Sequence, residues 1–445
     1  MTNTIDKNLI EKFNNNFNAD RTNLVSKNAV INNGIMQSAK SINSIIENTH
    51  EFSIEVKTGK ITNQKQSGRC WMFAALNVMR LEIMKTLNLE TFELSQAYPF
   101  FFDKLEKTNH FLENIIETRD EDVDSREVAF LLKDPLGDGG QWDMFASLID
   151  KYGVVPKAVM PESFSSSQSK FMDKLLTTKL REFAYQIRKA AKKNTTIEDL
   201  RNQKEEMLNT IYRMLSISLG EPPKTFTFEV KNKDNKFIRE TNISPKEFYD
   251  KYINMNMDDY ISIINAPTDD KPFNNTFSVK FLGNVQGGRP VKYLNLPVEE
   301  LKALAIKQLQ NNEAVWFGSD VGQSSDRETG IMDLEIYDLN NLFNTEFNLT
   351  KGQRLEYGES LMTHAMVLTG VNLDENGKSN KWRVENSWGD APGNNGYYVM
   401  SDKWFNEFTY QIVINKKYLS KSQLELLEKE PIILKPWDPM GSLAL

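Results

Sequence analysis

A helix-rich first half followed by a strand-rich second half predicts an α+β fold for this 445-residue chain. Three observations carry the prediction. Between Cys70 and Leu87 the residues Trp71, Phe73, Ala74, Ala75, Leu76, Val78 and Met79 are apolar nearly all round, the pattern of a helix buried inside a domain. Residues 165 to about 270 hold two long, charged, amphipathic helical stretches, "KFMDKLLTTKLREFAYQIRKAAKKN" and "TIEDLRNQKEEMLNTIYRMLSISLG". From about residue 276 short β-rich runs take over: "AVWFGSDV", "HAMVLTGVNL", "KWRVENSW", "GYYVMS" and "YQIVIN".

The remaining elements follow in order. Residues 1–60 begin polar and Asn-rich, then carry short alternating segments such as "EFSIEVKTG". "ELSQAYPFFFDKLEKTNHFLENIIE" reads as a second helical stretch, interrupted near Pro99. "GDGGQW", residues 137–142, is a glycine turn that leads into the helical "DMFASLIDKYG". Pro297 suits the first turn of a helix over "PVEELKALAIKQLQNN". "DENGKSN" joins two of the strands as a hairpin loop. The chain then divides into a helical region 1–164, an inserted and mainly helical unit 165–275, a β-rich unit 276–430 and a C-terminal arm 431–445.

Composition narrows the function. The net charge of −7 and the absence of a run of five or more Lys or Arg weigh against a nucleic-acid binder. No stretch of about 18 apolar residues predicts a membrane span. The N-terminus has no apolar signal core, and one cysteine cannot form an internal disulfide, so a cytoplasmic protein is expected. With three histidines, no CxxC and no HExxH, neither a metal site nor a cofactor is expected.

That lone cysteine carries the chemistry. A single Cys beside Trp and Phe is commonly inert packing. Cys70, however, falls at a predicted helix start, just after Ser67-Gly68-Arg69, where backbone N–H groups and the helix dipole favour a thiolate. A thiolate nucleophile needs an imidazole and a donor for the developing oxyanion. Gln64, six residues upstream, carries a suitable amide N–H. Among His50, His110 and His364, the last opens an apolar strand run in "LMTHAMVLTGV". Asn386, in "WRVENSWGD", has an amide oxygen able to accept the imidazole Nδ1–H, with Trp388 to shield that bond from water.

Taken together, Gln-x5-Cys-Trp, then His-Ala, then Asn-Ser-Trp-Gly in this order resembles the papain-like cysteine proteases. Ser67 stands where the papain-type signature has its first Cys, and Arg69 replaces a small residue. Cys70 and His364 are 294 residues apart. That is about 160 more than the papain-type gap, and the helical insertion accounts for much of the excess. With such an insertion and no disulfides, the chain resembles the bleomycin hydrolase and bacterial aminopeptidase C group, and the aminopeptidase C branch most. The resemblance extends over "LSQAYPFFFDKLEK", "GDGGQWDMF", "THAMVLTGV" and the tail "PWDPMGSLAL".

The resemblance implies a papain-like fold and a cytosolic cysteine aminopeptidase of broad specificity. Cys70 would be the nucleophile, His364 the base and then acid, and Asn386 the orienter of the imidazole. Gln64 and the Cys70 amide would form the oxyanion hole. Gly139 and Gly140 match a glycine pair that hydrogen-bonds substrate backbone, and Trp388 joins them in the binding cleft. The C-terminal arm would lie in that cleft, with the Leu445 carboxylate pairing with the free N-terminus of a peptide substrate unless Leu445 is trimmed. The family's hexameric assembly, with contacts through the inserted helices, is a further expectation. A Cys/His acyltransferase and a nucleic-acid-binding relative are the competing readings.

Overall fold

The computed structural model describes residues 3–444. At its centre lies the Cys70–Thr86 helix, in which every residue from Cys70 to Arg80 is buried. A helix apolar on all sides needs partners on all sides. It finds them in the Trp142–Tyr152 and Pro245–Tyr252 helices and in the Val315–Ser319 and His364–Leu373 strands. The Ala97–Glu117 helix is not interrupted at Pro99, because it begins two residues earlier. A proline in the first turn lacks only an N–H that has no intrahelical partner there.

The two long helices of the insertion, Lys170–Ala191 and Ile197–Leu219, pack on each other and on Ala97–Glu117. Their buried stripes are Leu176, Leu180, Phe183 and Ile187 on one, and Leu200, Met207, Ile211 and Leu215 on the other. A separate antiparallel hairpin, Phe226–Lys231 with Phe237–Ile243, follows them.

The second half is organised by one large sheet. Its order runs Ile432–Leu434, Asn275–Val279, Tyr293–Asn295, Tyr260–Ile264, Thr409–Asn415, Val315–Ser319, His364–Leu373, Ser379–Glu385 and Tyr397–Ser401, ending in two short strands. The strand Tyr260–Ile264 joins this sheet although it lies within the stretch read from sequence as insertion. The "DENGKSN" loop joins the His364–Leu373 and Ser379–Glu385 strands as an antiparallel hairpin, with Gly377 at φ +76° supplying the left-handed turn residue.

The Asn-rich start holds helices that its composition does not suggest. Lys7–Ala19 and Arg21–Asn33 are started by the side chains of Asp6 and Asp20, which accept from Leu9 N–H and Thr22 N–H. Neither helix buries a residue within the chain. Among the described residues no helix is long and apolar enough to cross a membrane.

Candidate active site

Cys70 is the first residue of its helix and is buried. Its sulfur lies within hydrogen-bond reach of the Ala365 backbone N–H, so it abuts the residue next to His364. The helix start is pressed against the sheet by the Trp316 indole N–H, which donates to the Trp71 carbonyl at 3.0 Å. Trp316 sits on the strand whose Ser319 is paired with His364.

His364 and Asn386 come together across 22 residues of chain, with the imidazole Nε2 3.0 Å from Asn386 Oδ1. That oxygen also accepts from the Ser387 backbone N–H at 2.8 Å, which identifies it as the acceptor. Nε2 must therefore carry the proton, and Nδ1 is the nitrogen left for Cys70. The sequence predicts that Asn386 accepts from Nδ1–H; in the structure its partner is Nε2. Trp388 lies against the imidazole, with ring centroids 4.8 Å apart and planes tilted by 31°.

Gln64 is brought to this site by a short backbone ladder. Gln64 N–H donates to the Ser387 carbonyl at 2.9 Å and Gly389 N–H to the Thr62 carbonyl at 3.0 Å. Asn77, two turns into the Cys70 helix, locks the ladder by donating to Thr62 Oγ1 at 2.9 Å and to Ser387 Oγ at 3.3 Å. One N–H of the Gln64 amide is spent on the Ser67 carbonyl at 2.7 Å, and the second remains available. Next to Asn386, Glu385 pairs with Arg80 of the Cys70 helix at 2.7 Å, both side chains 1% exposed.

Sequence reasoning missed the residues that grip the nucleophile loop. Asp138 Oδ2 accepts from Gly68 N–H at 2.8 Å, and the Asp138 carbonyl accepts from the Trp71 indole at 2.8 Å. One residue thus holds the chain on both sides of Cys70. The same carboxylate pairs with buried Lys104 at 2.7 Å and accepts from Ser169. Arg69 is fully buried and pairs with Glu162, while Gln66 N–H donates to the Ser167 carbonyl at 3.0 Å. The only hint in the sequence is the acidic residue inside "GDGGQW".

Gly140 and Gly139 differ. A Cβ on Gly140 would lie 2.6 Å from the Trp71 ring, so the glycine is required for the loop to pass the indole. The Gly139 carbonyl is engaged by Lys107.

The electrostatics depart from expectation. Burial pushes the Cys70 thiol up to about 11, although the amides of Ala365, Trp71 and Cys70 pull the other way. Burial likewise pushes the His364 imidazole down to about 4, against the Asn386 hydrogen bond. The lowering expected for a thiol at a helix start is therefore opposed by desolvation, which favours the uncharged form of both groups. At Asp138 burial acts upward but the Lys104 ammonium outweighs it, holding the carboxyl well below its usual range.

The C-terminal arm is docked. The Met440 carbonyl accepts from the Tyr293 hydroxyl at 3.0 Å and lies 3.5 Å from the Gln141 amide nitrogen, next to Gly140. Ser442 donates to the Met362 carbonyl at 2.9 Å, two residues before His364. Met440 and Leu443 are buried. Leu445 lies outside the described residues. Among those residues no group of three or more His, Cys, Asp or Glu side chains is placed to hold a metal ion.

The profile of the Peptidase C1-like family matches residues 4–441. The chain is 53% identical to an aminopeptidase C of Listeria monocytogenes over 436 residues, 98% of each protein. It is 49% identical to an aminopeptidase C of Streptococcus thermophilus over 94% of each. The crystal structure of pepw from Lactobacillus rhamnosis superposes with a TM-score of 0.98 at 51% identity, covering 99% of both chains. This chain belongs to the Peptidase C1-like family, and it is a cysteine-type peptidase with a mixed α/β, papain-like fold.

Proposed function

We propose that this chain, a cysteine aminopeptidase, removes residues one at a time from the free N-terminus of peptides through a thioester on Cys70. The observation that carries the reading is the docked arm, whose last turn reaches from Gln141 to Met362 beside Cys70 and His364. In this reading the arm closes one side of the cleft and admits a single residue before the scissile bond.

His364 Nδ1 takes the Cys70 proton as sulfur bonds to the substrate carbonyl carbon. Asn386 holds the imidazole in the tautomer this requires. The second Gln64 N–H and the Cys70 amide receive the oxyanion. The C–N bond then breaks and the imidazolium hands its proton to the leaving amine. Water, deprotonated by His364, adds to the thioester, releasing the free amino acid and restoring the thiol. Gly139, Gly140 and Trp388 line the binding cleft in this reading, and the Leu445 carboxylate meets the substrate ammonium.

The same proposal includes a cytoplasmic setting, fitted by a lone free thiol, and a homohexamer. The assembly is supported by Phe171, Leu175, Tyr185 and Ile217, which the inserted helices leave exposed. The test is mass spectrometry of a decapeptide, free and N-acetylated, with the full chain and with a chain ending at Asp438. The full chain should shorten only the free peptide, stepwise; the truncated chain should cut both internally. Stepwise release alone by the truncated chain overturns the role of the arm.

A further inference from the structure

The mechanism above dictates where the leaving part of a substrate must lie. His364 protonates the leaving amine, so that amine and the residues attached to it sit on the imidazole side of Cys70. The ring packed against the imidazole is Trp388, and over the Trp388 ring is Arg327, its guanidinium carbon 4.8 Å from the ring centroid. We propose that Arg327 binds the C-terminal carboxylate of a leaving group one or two residues long, so that the enzyme prefers dipeptides and tripeptides in their free-acid form. The proposal rests on the aminopeptidase reading and names its substrate class.

Three features support it. Arg327 is an exposed residue, and the carboxylates adjacent to it in the chain are committed elsewhere. Lys40 lies 2.9 Å from Asp326 and 3.5 Å from Glu328. Asp326 also accepts from the Thr329 N–H and the Tyr337 hydroxyl, both at 3.1 Å. Among the described residues no carboxylate forms an ion pair with Arg327 itself.

The second feature is that Arg327 is held. Gly330 N–H donates to the Asp326 carbonyl at 2.9 Å, and Val399 N–H to the Gly330 carbonyl at 2.8 Å, which fixes its loop to the sheet. The indole beneath adds a cation–π contact that helps hold the guanidinium in place. A guanidinium lying on an aromatic face keeps its N–H edge free, and that edge matches a carboxylate in bidentate geometry.

The third is reach. The two separations of 4.8 Å place the guanidinium no more than about 10 Å from the imidazole. An extended residue spans roughly 3.3–3.6 Å. One or two residues on the leaving side therefore bring a terminal carboxylate to Arg327, and a longer leaving group carries it past.

The test compares kcat/KM for matched free acids and C-terminal amides of a dipeptide, a tripeptide and a decapeptide. An aminoacyl arylamide, which has no carboxylate, reports catalytic competence. The proteins are wild type, Arg327→Met, which keeps an apolar stem on Trp388, and Arg327→Lys. A charge-assisted hydrogen bond is strong enough to favour the short free acids over their amides by about 10- to 100-fold in the wild type, chiefly through KM. That ratio should be near one for the decapeptide and should weaken with added salt. Arg327→Met should bring the short-peptide ratio to about one, and Arg327→Lys should restore part of it. Equal ratios in wild type and Arg327→Met, or a wild-type ratio near one alongside arylamide cleavage, overturn the proposal. Failure of the wild type to cleave any substrate overturns the aminopeptidase reading, and this proposal with it.

Discussion

The two halves of the active site are held by different physics. The nucleophile loop, from Gln64 to Cys70, is gripped by charged and hydrogen-bonding groups: Asp138 with Lys104, Glu162 with Arg69, and the carbonyl of Ser167. His364 and Asn386 instead ride on sheet register, with His364 opposite Ser319 and Val367 opposite Glu385. Beyond its backbone anchors at Gln64 and Gln66 the loop has no continuous strand pairing, so the rest of its geometry must come from side chains. A strand inside a sheet inherits its geometry from its neighbours, and only the last detail, the imidazole tautomer, needs a dedicated partner.

The largest effect should come from removing the sulfur. Cys70→Ala should lower activity by 10⁴-fold or more, on the order of what loss of a catalytic nucleophile costs. It should leave the melting temperature nearly unchanged, since the clamps around it remain. Residue release by mass spectrometry, beside a thermal melt, checks both halves of that statement. A large loss of stability would mean that the sulfur itself is part of the scaffold.

Asp138→Ala attacks the clamp. It leaves Gly68 N–H without its acceptor and Lys104 with Asp173 as its remaining ion pair. Breaking a buried pair costs about 3–5 kcal/mol, so urea unfolding should show a loss of that order together with reduced kcat. Asn386→Ala attacks the other half. One hydrogen bond to a group that becomes charged is worth about 1.5–3 kcal/mol, so kcat should fall about 10- to 100-fold. The buried His364 Nε2–H and the Ser387 N–H lose their acceptor, so stability should also fall, by about 1–3 kcal/mol, less than for Asp138→Ala. If the two variants lose stability equally, the contrast between clamp and ladder is wrong.

The most gradual effect is in pH. The buried imidazole titrates near 4 in the folded chain, below its ordinary 6.5. The unfolded chain therefore takes up the proton first, and this contribution to stability is lost as pH falls from about 6.5 to about 4. The slope should approach about 1.4 kcal/mol per pH unit within that window. The difference between wild type and His364→Gln isolates it from other titrating groups. Identical pH slopes in the two proteins would show that burial does not hold the imidazole neutral.

Much of this architecture is written locally. The all-round apolar run after Cys70 requires a central helix, and alternating or continuous apolar runs require the later strands. Cys70 and His364 could be named because the chain has one cysteine and three histidines, and Gln64 and Asn386 because they stand in order and spacing around them; the structure brings His364 and Asn386 into hydrogen bond. The N-terminal helices were not legible, because Asn is a poor helix former and their caps at Asp6 and Asp20 are brief signals. Which imidazole nitrogen faces Asn386 was not legible either, since it depends on the ring's orientation relative to two strands. Nor were the burial shifts of Cys70 and His364, because desolvation is a property of everything packed around a group and not of its neighbours in the chain. Tertiary structure alone decided that Asp138 would hold both sides of Cys70, that Gln64 would ladder onto Ser387, and that Arg327 would lie over Trp388. Those contacts join residues tens to hundreds of positions apart, and no local pattern encodes which distant partner a polar side chain meets.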